Sequence, residues 1–111
     1  MSKFHNKKCF AFGLAFDSIK ERDRYLYLRD RQKNREIDML ETQKKFVIVE
    51  SQQIGRRRLR EAVYIADFFY IENGKPVVED VKGYKKGPAY NLFSLKKKLM
   101  LQKYGIFVRE V

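Results

Sequence analysis

The sequence has little of what metal-staple and membrane proteins depend on: one cysteine, one histidine, two prolines and no tryptophan in 111 residues. Cys9 alone forms no internal disulfide, which agrees with a reducing cytoplasm. Cys9 and His5 have no metal-ligand spacing around them, so a zinc site is excluded and both are read as structurally incidental. No apolar run approaches the roughly 20 residues that span a bilayer, and residues 1–8 show no signal-like apolar region. A soluble, cytoplasmic protein with no membrane partner is expected. Internal repeats and low-complexity segments are also missing. Negative charge is scarce: 14 Asp and Glu face 25 Lys and Arg, for a formal charge of +11. With nine Phe and seven Tyr to build a core, this is a basic domain of the kind that meets a polyanion, nucleic acid first, because neutralising phosphates releases counterions.

The most informative stretch runs from Tyr64 to Gly83. Two runs rich in β-branched and aromatic residues, Tyr64–Tyr70 and Val77–Gly83, flank Asn73-Gly74 and predict a β-hairpin. Asp67 interrupts an apolar strand whose two faces both read as covered. Asp80 and Lys82 lie two residues apart and so share a strand face, while Glu79 points the other way, toward a surface role. A buried Asp67 needs a partner. Either it pairs with Lys82 or an arginine as an internal salt bridge, or Asp67 and Asp80, joined by Glu21, form an all-oxygen site suited to Mg²⁺ or Mn²⁺. In the second case Lys82 would position a water or stabilise developing charge during phosphodiester hydrolysis.

Around the hairpin the chain reads as one domain over 9–111 behind a mobile basic arm, 1–8. Phe10, Phe12, Leu14 and Phe16 alternate about Gly13 as a short hairpin. Ser18 followed by Glu21 is a capping pattern, and the absence of Gly and Pro through Lys33 predicts a helix with Glu21, Tyr25 and Leu28 on its packed face. Glu21 is therefore either a helix cap or a site carboxylate. Residues 34–43 read as a connection with a short extended piece near Ile37–Leu40, and Phe46–Val49 as a strand. Arg56, Arg57, Arg58 and Arg60 sit in a segment that is either a solvated loop or a phosphate-contacting one. Lys85 and Lys86 occupy a loop marked by Gly83, Gly87 and Pro88. A helix over 91–104 presents Leu92, Leu95 and Leu99 as its apolar stripe, widened by Phe93, Met100 and Tyr104, and stops at Gly105. Lys97 and Lys98 fall away from this stripe, on a face that is either solvated or in contact with DNA, and Lys96 joins the candidate DNA contacts. Ile106–Val111 reads as a last strand, completing a mixed sheet flanked by helices.

Asp67, followed after a gap by Asp80-Val81-Lys82, resembles the PD-(D/E)xK nuclease signature, with Ala66 where the name-giving proline stands. Glu21 matches the acidic residue that many members place on the first helix. The wider pattern of Phe16-Asp17-Ser18-x-x-Glu21, Gln43-x-x-Phe46, Tyr64-Ile65-Ala66-Asp67-Phe68 and Val78-Glu79-Asp80-Val81-Lys82-Gly83 resembles small phage and prophage endonucleases related to Holliday-junction resolvases. That resemblance implies a restriction-endonuclease-like αβββαβ core with an N-terminal hairpin. It implies Mg²⁺-dependent cleavage of DNA, on branched or recombination intermediates, by a homodimer in a bacterial host, with Glu21, Asp67, Asp80 and Lys82 as catalytic and metal-binding residues. A non-catalytic nucleic-acid-binding module with the same fold is the alternative, and a basic RNA-binding protein a third.

Overall fold

The computed structural model describes residues 8–111, so the expected basic arm, apart from Lys8, and His5 lie outside the described residues. The chain opens with a hairpin of β1 (Cys9–Ala11) and β2 (Leu14–Phe16). Phe12 and Gly13 at its tip both take positive φ, the turn geometry that matches strand twist. The exposed Phe12 ring is held under the Arg29 guanidinium, 3.4 Å from the ring centroid. Helix α1 (Ile19–Lys33) follows, with Glu21, Tyr25 and Leu28 buried as its heptad-like spacing requires.

The sheet is built from β3 (Asp38–Val49), β6 (Ala62–Glu72), β7 (Lys75–Asp80) and β8 (Arg109–Glu110), in that spatial order. The first three run antiparallel, and β8 returns parallel to β7 after helix α2 (Pro88–Tyr104). A separate exposed ribbon, β4 (Gln52–Ile54) with β5 (Arg57–Leu59), projects between β3 and β6. The turn between β6 and β7 is Asn73-Gly74, both at positive φ.

Two apolar clusters cover the two faces of the sheet. Phe16, Tyr25, Leu28, Phe68, Tyr70 and Val77 pack under α1. Phe46, Ile48, Tyr64, Ala66, Val78, Phe93, Met100 and Val108 pack under α2. Each fully buried Leu, Val, Phe or Met contributes about 1.5–3 kcal/mol. Adjacent β7 residues divide between the clusters as strand alternation demands. In β6 the alternation breaks. Tyr64 and Ala66 belong to the α2 cluster, Phe68 and Tyr70 to the α1 cluster, although an unbroken strand would put all four on one face. The break falls at Asp67, and Gln43, set opposite it between the pairs Thr42↔Phe68 and Lys44↔Ala66, has φ of 52°.

Several elements differ from the sequence expectation. The connection expected over 34–43 is mostly strand: β3 begins at Asp38, and positive φ at Met39 and Gln43 disrupts the alternation that would reveal it. Pro88 opens α2 at its first turn, where its missing N–H costs nothing. The covered face of α2 carries Phe93 and Met100, whereas Leu92 and Leu95 are about half exposed, at 53% and 52%. Lys97 is on the covered side: its ammonium binds Glu110 at 2.5 Å and lies over the Phe93 and Phe107 rings. The last strand is only two residues long. Glu79 points away from Asp80 as alternation requires, but it is fully buried, where a surface role was expected. Both its oxygens accept from the Arg24 guanidinium, at 2.8 and 2.7 Å, and one also accepts from the Tyr70 hydroxyl at 2.5 Å.

Candidate active site

Three carboxylates reach one cleft from three elements. Glu21 enters from the first turn of α1, which Ser18 caps by accepting a hydrogen bond from the Glu21 backbone N–H at 3.1 Å. The Glu21 backbone is thus part of the cap, while its buried side chain is turned into the cleft and accepts from Gln43 Nε2 at 3.3 Å. Asp67 enters at the break in β6. Its Oδ2 accepts from the Val81 backbone N–H at 2.8 Å, and its Oδ1 is 3.4 Å from the same Gln43 amide. Asp80 stands at the end of β7, its Oδ2 accepting from the Tyr64 hydroxyl at 2.6 Å and its Oδ1 lying 3.1 Å from Lys82 Nζ. Lys82 rests over the Phe93 ring, 3.9 Å from its centroid, and its carbonyl accepts from Lys20 Nζ at 2.8 Å. Glu21, Asp67, Asp80 and Lys82 line an open cleft of about 420 Å³ together with Asp17, Ser18, Lys20 and Ile65.

The electrostatics of this cleft are strained in one direction. Burial, then Asp67 and Asp17, push Glu21 up to about 7. Burial also pushes Asp67 up to about 6, with Asp80 adding to the rise and the Val81 N–H opposing it. Tyr64 is driven far above the usual phenol range by burial and by its bond to Asp80, so it stays a proton donor. Lys82 pairs with Asp80 and reaches Asp67 only through space. Among the described residues no lysine or arginine forms a salt bridge with Asp67, so the internal ion pair weighed for it is not what is seen.

The donor set is hard oxygen, and Asp67 makes the charge of Glu21 more costly as Asp80 does that of Asp67, which is the electrostatic condition a divalent cation relieves. Asp80 has both oxygens engaged, one of them by the Lys82 cation. Among the described residues no three acidic, histidine or cysteine side chains converge closely enough to enclose an ion. The carboxylates share a cleft without forming a closed cage.

Of the candidate nucleic-acid contacts, Arg56, Arg57, Arg58 and Arg60 are all exposed on the β4–β5 ribbon and its flank, with Arg58 donating to the Ser51 hydroxyl at 2.9 Å. Lys85 and Lys86 are exposed before α2, and Lys85 lies 3.7 Å from Glu110. Lys96 lines a second hollow, of about 280 Å³, which shares Ile65, Asp80 and Lys82 with the carboxylate cleft. Two residues that the sequence showed only as part of the resemblance pattern, with no role in the site, contact its carboxylates. Gln43 bridges two carboxylates from a backbone conformation that no residue pattern announces. Tyr64 reaches Asp80 only because β6 changes face at Asp67.

Fold and cleft together define a mixed α/β domain with a carboxylate-lined, lysine-flanked site between a two-sided sheet and its first helix. The chain belongs to the family described as a protein of unknown function, DUF1064, whose family model matches residues 1–109. No curated protein and no solved structure matches it.

Proposed function

We propose that this protein is a metal-dependent endonuclease that hydrolyses DNA phosphodiester bonds on a restriction-endonuclease-like core. The observation that carries this reading is the convergence of Glu21, Asp67, Asp80 and Lys82 on one cleft, with two of the carboxylates destabilised in their charged forms. The order of helix, three strands of the main sheet, helix and strand after the N-terminal hairpin supports it, as does the +11 charge with exposed arginines on a projecting ribbon.

Glu21, Asp67 and Asp80 would hold Mg²⁺ or Mn²⁺. Once bound, such an ion neutralises charge on the scissile phosphate and lowers the pKa of its water. Lys82 supplies an ammonium beside Asp80, placed to donate to a phosphate oxygen or to orient the attacking water. The Tyr64 hydroxyl holds Asp80 Oδ2 and fixes the direction of its other oxygen. The exposed arginines and Lys85, Lys86 and Lys96 contact the backbone. The resemblance to junction resolvases extends the reading to branched or recombination intermediates cut by a homodimer.

A test uses labelled four-way junction, flap, duplex and single-stranded DNA with Mg²⁺, Mn²⁺ or chelator. Cleavage is expected only with metal, and Asp80→Asn is expected to abolish it while DNA binding persists. Unchanged cleavage by that variant overturns the site. The engagement of both Asp80 oxygens favours a second reading, a non-catalytic DNA-binding module. In that case binding is salt-sensitive, indifferent to Mg²⁺ and yields no product.

A further inference from the structure

We propose that the hollow beside the carboxylate cleft binds an unpaired nucleotide base next to the phosphate being cut. The inference deepens the nuclease reading and rests on it for the placement of that phosphate. The hollow, about 280 Å³, is lined by Val63, Tyr64, Ile65, Leu92, Phe93 and Lys96, and it meets the cleft at Asp80 and Lys82. Ile65 and Leu92 are half exposed on two different elements, an apolar surface with nothing packed over it among the described residues. Its cations are Lys82 and Lys96. Its carboxylate, Asp80, is already occupied by Lys82 and Tyr64.

A hollow of mixed lining, in which the half-exposed apolar side chains of Ile65 and Leu92 stand beside the cationic groups and which opens directly onto a phosphate-cutting cleft, matches the two-part chemistry of a nucleotide: a flat ring that prefers apolar contact, joined to an anionic backbone. A second copy of this chain is the poorer occupant, because it brings another +11 of charge toward the same lysines. In continuous duplex each base is covered on both faces by its neighbours, and entry requires unstacking. The hollow therefore selects DNA in which a base beside the cut is already free, as at a flap, a gap, a bulge or a junction.

The test compares a continuous duplex with the same duplex carrying one unpaired nucleotide, a fluorescent base analogue, in wild type, Ile65→Ser/Leu92→Ser and Leu95→Ser. Binding is measured in chelator. Wild type is expected to bind the unpaired form about tenfold more tightly, from covering the half-exposed Ile65 and Leu92, and to change the analogue's emission. Ile65→Ser/Leu92→Ser is expected to lose both effects, whereas Leu95→Ser, on the same helix but outside the hollow, keeps them. Equal affinity for the two DNAs, or a preference that survives in the double variant, overturns the proposal. So does a double variant that turns from dimer to monomer in sedimentation while its preference is unchanged, which assigns the hollow to a second copy. Cleavage in Mg²⁺ separates the two readings. A preference without any metal-dependent product upholds the base site and removes the nuclease. Product that depends on Asp80, without the preference, upholds the nuclease and removes the base site.

Discussion

Glu21 carries the highest-lying carboxyl pKa of the cleft, and that has a consequence for stability. Its carboxyl titrates near 7 in the folded chain against about 4.5 unfolded, so the folded state holds the extra proton between those values. The stability this contributes is complete below about pH 4.5 and is lost as pH rises through about 7. Asp67 adds a similar loss between 3.8 and about 6. Thermal melts in chelator are expected to show Glu21→Gln overtaking wild type as pH rises through this window, with Mg²⁺ raising the wild-type midpoint above neutrality by binding the folded state alone. Parallel pH profiles for the two proteins would show that Glu21 does not feel its neighbours as described. At this scale the sequence was informative wherever alternation or helical spacing held, which covers Glu21, Asp80 and the opposite orientation of Glu79. It placed Gln43 and Tyr64 in the resemblance pattern but not against the carboxylates, because those contacts depend on a positive φ and a broken strand face.

Strand β7 serves two purposes with neighbouring residues. Asp80 faces the cleft, while Glu79 is clamped by Arg24 and Tyr70 beneath α1, three residues along that helix from Glu21. The clamp ties the helix bearing one site carboxylate to the strand bearing another. Removing Arg24 leaves an uncompensated buried charge, so Arg24→Ala is expected to cost about 3 kcal/mol in urea unfolding. That figure is the low end for a broken buried pair, because the Arg24 side chain is 29% exposed. Arg24→Ala/Glu79→Gln is expected to recover part of the loss, since no buried charge then stands alone. If both variants lose stability equally, the clamp does not act through its charge. Helix α1 and the β6–β7 hairpin were legible because cap, turn and periodicity agree. Helix α2 was legible as a helix but not in its orientation: apolar residues at nine of its positions leave two candidate faces, and packing chose Phe93 and Met100 over Leu92 and Leu95. The first half of β3 was hidden because its only apolar residues are Met39 and Leu40, as a sheet edge needs little apolar surface.

For the molecule as a whole, a mixed sheet between helices followed from the order of elements, and no helix among the described residues is long and apolar enough to cross a membrane. That both faces of β6 are covered could be read from its apolar residues, but which cluster each one joins could not, because the change of face at Asp67 leaves no mark in residue type. That strand sets how the protein comes apart. Since β6 lends Tyr64 and Ala66 to one cluster and Phe68 and Tyr70 to the other, neither can dissolve while the other keeps its central strand intact. The absence of native tryptophan makes this measurable. Phe16→Trp reports on the α1 cluster and Phe46→Trp on the α2 cluster, and their denaturation midpoints are expected to coincide once each is referred to its own variant's far-ultraviolet transition. Separated midpoints would mean two independently melting halves. Coincident ones make Asp67 the hinge pin of a single cooperative unit, so the cleft has no partly unfolded state in which one wall survives without the other.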